Sequence, residues 1–283
     1  TDSEILLQDK DINGVIIIAP HSVHAELTTR SLECKKHVLV EKPLCVNWEE
    51  YARIESVLLD TGTKNLLLMV GHNRRHSPHT EKIRHALKNR NEPLVASYRV
   101  NAGFVGSDHW VHSTEEGRSR IIGEMGHFVD IMQYLTGANP IRVVAERVQG
   151  NNRSTINNDN MIAIFKFSDG SVGQLTYAAN GNRSLGREYF EIFWQENSAT
   201  CVDYRKTRIH TKRGIKRFNT SNREMGYAQE ILHFSKVISG ETEPKTSRHE
   251  TLITMKTILA IEESLATGLP IAIDTFKENS DQI

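Results

Sequence analysis

The sequence has no two glycines separated by a single residue, although it contains 18 glycines among 283 residues. The turn that cradles dinucleotide phosphates follows the pattern G-x-G-x-x-G, so no segment here matches that turn. Apolar runs are also short, since none reaches the roughly 20 residues that a bilayer crossing needs. The first residues show no signal-peptide pattern. We therefore expect no membrane partner, and a nucleotide site would need other residues.

Neither sign of charge is in excess, because 35 lysines and arginines balance 35 aspartates and glutamates. This balance argues against a nucleic-acid binder that works through bulk charge. The densest basic segment, residues 204–217, alternates basic with apolar or hydroxyl residues and contains a glycine. That pattern predicts a solvent-exposed hairpin, so we expect no nucleic-acid partner.

Cysteine is scarce and odd in number, with Cys34, Cys45 and Cys201 the only three. Their positions lack the spacing of a metal site, so no metal is expected from them. Unpaired thiols are typical of a reducing compartment, which predicts a cytoplasmic protein.

The first third of the chain alternates buried strands with amphipathic helices. Its strands are predicted at residues 15–18, 37–40 and 65–71, and its helices at 2–9, 21–35 and 47–62. Strand–helix–strand repeats form right-handed units with parallel strands. The composition, 38% hydrophobic and 25% charged, is that of a soluble globular protein. Residues 1–92 are therefore predicted to form a parallel α/β domain.

The pattern changes after residue 92. Short alternating runs at hairpin spacing, such as "MIAIFKF" and "SVGQLTYAA", indicate a mostly antiparallel sheet. Two helices are predicted near the end, at about 223–239 and 248–267. The predicted fold class is α/β plus α+β. A partial Rossmann-type domain is followed by an open antiparallel sheet domain, residues 93–283, whose last helices pack back.

The second strand ends in "EKP", which places Lys42 between Glu41 and Pro43. Ligands of open α/β sheets bind beyond the carboxyl ends of the strands. Pro43 restricts the backbone of Lys42 to an extended conformation, so the lysine is aimed at a fixed point. A solvated strand end is the alternative interpretation of this motif.

A second candidate is the segment "GEMGHFVD" in a predicted helix over residues 117–137. Glu124, His127 and Asp130 follow each other at intervals of three, which places them on one helix face. A histidine near carboxylates can take a proton from an alcohol. The alternative is a core histidine that is satisfied by Asp130.

Three segments together carry a resemblance to a known family. They are "IIIAPHSVHAELTTRSLECKKHVLVEKPL", "VGHNRRHSPH" and "GRSRIIGEMGHFVDIMQYLTG". Their content and order resemble the Gfo/Idh/MocA family, the NAD(P)-dependent oxidoreductases related to glucose-fructose oxidoreductase and inositol dehydrogenase. The resemblance covers nearly the whole chain. It is closest to a subgroup that forms the C-terminal module of bi-domain oxidoreductases.

The resemblance implies a hydride transfer between NAD or NADP and the hydroxyl or ketone of a sugar, polyol or nucleotide sugar. Lys42 would sit between the nicotinamide and the reacting hydroxyl, and His127 would accept the proton. Glu124 or Asp130 would be the acid partner of His127. Trp110 and His112 would face the substrate together with Lys42 and His127. The family also implies a homo-oligomer formed through the antiparallel sheet.

The resemblance further implies which residues line the cofactor. These positions surround the three strand ends: Ala19, Pro20, His21, His24, Glu41, Lys42, Pro43, Asn73 and Arg74.

Two departures from the family pattern stand out. Many members carry an aspartate four positions before the histidine, where this sequence has Gly123. The family's phosphate turn is also missing, so we expect about 50 to 70 residues of the domain to precede Thr1. A sheet without those residues would expose residues 15–18 along one edge.

Two other classes of function remain open from the sequence. The missing phosphate turn favours a cofactor-crippled, non-enzymatic subunit that binds a sugar or only associates. A metal enzyme would use the histidine pairs His21 with His24, or His109 with His112, which have possible zinc spacing. No third ligand is placed with either pair.

Overall fold

The computed structural model describes residues 3–113, 118–150 and 159–273. The α-helices are α1 Ser3–Gln8, α2 His24–Glu33, α3 Trp48–Leu59, α4 Pro78–Ala86, α5 Arg120–Glu124, α6 Gly126–Thr136, α7 Tyr227–Ile238 and α8 Arg248–Thr267. The strands are β1 Gly14–Ile17, β2 His37–Val40, β3 Leu68–Val70, β4 Val95–Asn101, β5 Pro140–Arg147, β6 Asn160–Phe167, β7 Val172–Ala178, β8 Glu188–Trp194, β9 Asn197–Val202, β10 Lys206–Thr211, β11 Gly214–Asn219 and β12 Ile271–Ala272. Short 3₁₀ helices span His21–Val23, Thr61–Thr63, Asn73–His76 and Trp110–His112.

The first sheet is parallel, in the order β1-β2-β3. Its side chains alternate between two faces, as the pleat of a strand requires. Leu39 and Met69 pack against Phe234 of α7 on one face. Their neighbours along the two strands point to the other face and belong to the main core: Val38, Val40, Leu68 and Val70. β1 is an edge strand, and Ile16 and Ile18 are 47% and 79% exposed. The predicted parallel unit and its exposed edge are both confirmed.

The second sheet has nine strands in the order β11-β10-β9-β8-β4-β7-β6-β5-β12. Every neighbouring pair is antiparallel except β4 with β7. The mostly antiparallel sheet is therefore confirmed, and the basic segment forms the predicted hairpin of β10 and β11. β12, which has only two residues, was not predicted because so short a strand leaves no periodic pattern.

One face of the large sheet is covered by α6 and α8. Phe128 of α6 lies 5.2 Å from the ring of Tyr98 and 6.2 Å from that of Tyr177, measured between centroids. The two ring contacts of Phe128 hold α6, and hence His127, against the sheet. The neighbouring helix α8 begins with a capping box between Ser247 and Glu250.

The predicted helix over residues 117–137 is divided. α5 ends at Glu124, Met125 lies between the two helices, and α6 begins at Gly126. Gly137 terminates α6 in the left-handed conformation, with φ 64°, as the sequence predicted. Glu124 therefore ends α5 and His127 lies in the first turn of α6, while Met125 between them keeps helical dihedral angles, φ −64° and ψ −27°. The shared face of Glu124 and His127 stays a prediction.

No helix in the described part of the chain is both long and apolar enough to cross a membrane. The division of the chain at residue 92 stays a prediction.

Candidate active site

The ends of β1 and β2 are joined by His24. Its Nδ1 lies 2.7 Å from the carbonyl oxygen of Pro43, and its Nε2 lies 2.9 Å from that of Ala19. The ring is fully buried. Which of the two nitrogens carries the donated proton depends on the tautomer of the ring. His24 was predicted to line the cofactor, but its two nitrogens are occupied by the backbone.

Replacing His24 with leucine is expected to destabilise the fold by about 1–3 kcal/mol, because the contacts of the imidazole with two backbone carbonyls are lost. Urea unfolding would measure the change in free energy. His85→Leu is the control, since His85 is exposed in α4 and should change stability by at most about 0.5 kcal/mol. Equal stability of the two variants would contradict the role assigned to His24.

Lys42 reaches from the end of β2 to the segment that carries His127. Its Nζ donates to the carbonyl oxygen of Gly123 at 3.0 Å. The neighbouring Glu41 lies against Gly71, where an added Cβ would be 2.9 Å from Oε2. The second and third strand ends therefore meet, and the lysine is directed at the helical segment and not into solvent.

His127 is buried, with 7% of its surface exposed. Among the described residues, its Nδ1 has no hydrogen-bond partner. Burial lowers the pKa of His127 well below its ordinary value of 6.5, and the charges of Arg74 and Lys42 lower it further. The ring is therefore a neutral imidazole with a buried nitrogen available to a ligand.

The acids predicted beside His127 have other partners. Glu124 accepts a hydrogen bond from Nη2 of Arg187 at 3.2 Å. The Asp130 carboxylate lies 3.3 Å from Nδ1 of His72 and accepts hydrogen bonds from Arg75. Burial opposes ionisation of Asp130, but Arg75 outweighs it and holds its pKa below the ordinary range. Neither contact involves His127.

The glycine that replaces the family aspartate has a structural explanation. A Cβ at Gly123 would lie 3.2 Å from Cε1 of His21. The ring of His21 is 94% buried and lies edge-on to Trp110, with centroids 5.2 Å apart. The imidazole thus occupies the space next to position 123, which brings a second predicted residue to the site.

Two residues predicted to face the nicotinamide are directed elsewhere. Arg74 is buried and donates two 2.8 Å hydrogen bonds to Glu188 of the large sheet. Asn73 donates through Nδ2 to the carbonyl of Met225 at 2.8 Å. The sequence could not reveal these partners because they lie more than 100 positions away. Arg74 thus links the two sheets and Asn73 contacts the segment before α7, and their assignment to the cofactor stays a prediction.

The predicted substrate-facing loop adds a polar cluster. Nε2 of His112 lies 3.7 Å from Oδ2 of Asp159, and Nη1 of Arg120 lies 3.3 Å from the same oxygen. Burial raises the pKa of Asp159, although Arg120 and His112 oppose the rise. Trp110 is half-exposed at 49%. Residues 114–117 of this loop lie outside the described residues.

The histidine pairs weighed as zinc ligands have separate surroundings. In the described ranges, no three His, Cys, Asp or Glu side chains form a group that could hold a metal ion. His24 uses both nitrogens on carbonyls, and Nδ1 of His109 accepts from the backbone nitrogen of Val111 at 3.3 Å.

Sequence reasoning missed Glu230, a buried acid on α7. Burial raises its pKa to about 9, and Glu41 and Asp130 raise it further. Its Oε1 has no hydrogen-bond partner within the described ranges. Glu230 lies on the buried face of α7, together with His233 and Phe234. The sequence around Glu230 contains no pattern that predicts a protonated acid.

Glu230→Gln is expected to stabilise the protein at pH 8 and to change little at pH 4. The folded state keeps Glu230 protonated up to about pH 9, whereas an unfolded glutamate ionises near its ordinary value of 4.5. Stability therefore falls as the pH rises through this window, by up to about 1.4 kcal/mol per pH unit, and the amide removes that slope. Urea unfolding at both pH values, with Gln229→Glu as an exposed control on the same helix, measures it. A variant that is less stable at pH 8 would refute the assignment.

Comparison with known proteins agrees with this geometry. Residues 1–72 match the model of the Gfo/Idh/MocA oxidoreductase family, described as an NAD-binding Rossmann fold. The chain is 24% identical to scyllo-inositol 2-dehydrogenase (NAD(+)) of Bacillus subtilis over 95% of its length and 80% of that protein.

Two solved structures share the fold. An oxidoreductase domain protein from Kribbella flavida superposes with a TM-score of 0.81 at 19% identity, covering 97% of this chain and 84% of that one. A levoglucosan dehydrogenase in complex with NADH gives 0.79 at 19% identity, over 98% and 84%. Residues 1–72 thus match the Gfo/Idh/MocA oxidoreductase family model, and the relatives along the chain and the two sheets agree with that match.

Proposed function

We propose that this protein is an NAD(P)-dependent oxidoreductase that transfers a hydride between a nicotinamide cofactor and a hydroxyl-bearing carbon of a sugar or polyol. The observation that carries the proposal is the convergence of Lys42 and His127. They lie 85 positions apart, yet Nζ of Lys42 donates to the carbonyl at 123, one helical turn before His127. Lys42 is also among the charges that keep the ring of His127 neutral.

The two side chains have complementary roles. Neutral His127 is a base, and the proton of the substrate hydroxyl goes to it as the O–H bond breaks. Lys42 is a cation beside that oxygen and stabilises the negative charge that develops on it. The electron pair of the carbinol C–H bond leaves as hydride, for which a bound nicotinamide supplies the acceptor carbon.

The strand ends fit the nicotinamide half of a dinucleotide. Ala19, Pro20, His21 and the Glu41–Lys42 pair would surround it, at the edge where ligands of open α/β sheets bind. Gly71 leaves room for the carboxylate of Glu41, because an added Cβ would be 2.9 Å from Oε2. The sequence has no G-x-G turn for the phosphates, so the residues present fit the nicotinamide end only.

A hydroxyl-rich substrate fits buried polar atoms that have no protein partner among the described residues. In the described part of the chain, His127 Nδ1, Tyr177 Oη and Asp159 Oδ1 are buried without a hydrogen-bond partner. Such atoms cost about 1–3 kcal/mol each when unsatisfied, and several hydroxyl groups on one ligand would satisfy them. Relatives named as dehydrogenases of scyllo-inositol, myo-inositol and levoglucosan support the same class.

The first experiment is a fluorescence titration of the 283-residue chain with NADH and NADPH, followed by turnover assays with inositols, pyranoses and their acids. Micromolar binding that Glu41→Ala weakens, together with reduction of NAD⁺ or NADP⁺ by one polyol, is the expected result. Glu49→Ala on α3 is the matched control because Glu49 is exposed.

The same titration decides against the competing function. A non-enzymatic subunit would bind a sugar, or itself, without binding either cofactor at millimolar concentration. That outcome would overturn the proposed oxidoreductase.

We also propose a homo-oligomer formed through the uncovered face of the large sheet. Ile162 and Ile164 of β6, with Phe193 of β8, are each 47–48% exposed on that face. Ile164→Glu is expected to shift the mass measured by light scattering towards the monomer, because a charge would be buried in the interface. Leu59→Glu on α3 is the control, because Leu59 is 71% exposed and lies outside this sheet. A monomeric wild-type protein would contradict the proposal.

A further inference from the structure

Among the described residues, neither Glu124 nor Asp130 is hydrogen-bonded to His127, so the destination of the proton that His127 accepts has to be explained. The position one turn before His127 is Gly123, and Glu124 is bonded to Arg187. The groups that lower the pKa of His127 are burial followed by four neighbours, and none of them is an acid. These neighbours are Arg74, Lys42, His72 and Arg187. A proton on His127 is therefore in an unfavourable place, and turnover requires a better acceptor nearby.

His72 is that acceptor by its geometry. His72 lies two residues after the end of β3 and is 94% buried. Its ring centroid lies 6.0 Å from that of His127, and the two ring planes meet at 70°. Its Nδ1 lies 3.3 Å from Oδ1 of Asp130. Donation of Nδ1–H to that carboxylate leaves the lone pair of Nε2 free to accept a proton.

The backbone next to His127 makes room for this nitrogen. A Cβ at Gly126 would be 2.7 Å from Nε2 of His72, so Nε2 faces the residue that precedes His127. Any side chain at this position would collide with the imidazole. The glycine and the dyad of His72 with Asp130 therefore form one arrangement.

We propose that the proton removed by His127 is passed to His72, which Asp130 holds in the accepting tautomer. This inference rests on the proposed function. One N–H bond of protonated His127 breaks and one forms at Nε2 of His72, so no electrons are transferred in this step. The centroid distance of 6.0 Å fits transfer through about one bridging water.

The charges around the dyad favour this direction of transfer. Asp130 is anionic, because Arg75 holds its pKa low, and it faces His72 directly. The cations Lys42, Arg74 and Arg187 act on His127. A positive charge is consequently better placed on His72 than on His127.

The test compares His72→Gln with His79→Gln. Both histidines are buried, but His79 is bonded to Thr207 and Thr220 on the far side of α4. With the substrate found in the turnover assays, His72→Gln is expected to lower kcat about 100-fold and to change KM little. Exogenous imidazole should restore part of the rate to His72→Ala. The control variant should keep the wild-type rate, and a full rate in His72→Gln would refute the relay.

A second readout needs no turnover. In NMR spectra with labelled histidines, His72 should show the tautomer that carries its proton on Nδ1, the nitrogen beside Asp130. The tautomer with the proton on Nε2 would overturn the relay even in an active enzyme, because that nitrogen could not accept a proton. If no polyol is turned over, the proposed function fails, while the tautomer still decides the inference about His72.

Discussion

Replacing Lys42 with methionine is expected to lower kcat/KM for the polyol about 1,000-fold while leaving the fold intact. Methionine keeps the unbranched stem but removes the ammonium group that faces the developing negative charge. The hydrogen bond from Nζ to the Gly123 carbonyl is lost as well. Steady-state kinetics and a fluorescence titration with NADH measure the two consequences separately.

Lys42→Arg is the sharper comparison. Arginine keeps the positive charge, but its planar fork cannot reproduce the single donor contact of an ammonium, so most of the activity should remain lost. Lys35→Met is the control, because Lys35 bonds the carbonyl of Gly62 on an exposed turn. Activity of Lys42→Met within about threefold of the wild type would remove Lys42 from the proposed chemistry.

His127→Gln is expected to lower kcat about 100- to 10,000-fold, because the amide has no basic nitrogen to take the hydroxyl proton. Cofactor affinity should change little. A deuterated carbinol and D₂O would show whether the variant slows proton transfer and not binding. Gln133→Leu on the same helix is unsuitable as a control, since Gln133 bonds Thr254 and Asn139. Tyr134→Phe is suitable because it removes only one hydroxyl.

The pH dependence follows from the environment of His127. Its folded-state pKa lies well below 6.5, chiefly through burial. The base therefore stays neutral, and the acid limb of the kcat/KM profile should lie below pH 6.5. An unfolded chain takes up this proton near pH 6.5, so stability should also fall as the pH drops below that value. An acid limb above pH 7 would contradict the assignment of His127 as the base.

Local patterns predicted a large share of the fold. Runs of β-branched residues identified β1 and β2, and turn residues identified the hairpins of the large sheet, because these signals arise within about ten residues. The "EKP" motif and the "GEMGHFVD" segment also identified Lys42 and His127. The order of the strands predicted that the three strand ends meet, whereas the family resemblance implied that Lys42 and His127 share one site.

Partners distant in the chain followed a different rule. Arg74 bonds Glu188, 114 positions away, so no local pattern could show that it stabilises the interface between the sheets. Asp130 was predicted to support His127, but Arg75 and His72 are its partners. His24 appeared to line a cofactor until its two carbonyl contacts were known.

The amino-acid order alone predicted the secondary structure and the two kinds of sheet, and it singled out Lys42 and His127 as candidates for the proposed chemistry. Periodicity and strand-end position encode those features, and both are properties of neighbouring residues. Packing determined that Asp130 contacts His72, that His24 contacts two backbone carbonyls, and that Gly126 leaves space for the ring of His72. These features depend on distances between elements far apart in the chain, and the packing of those elements against one another fixes those distances.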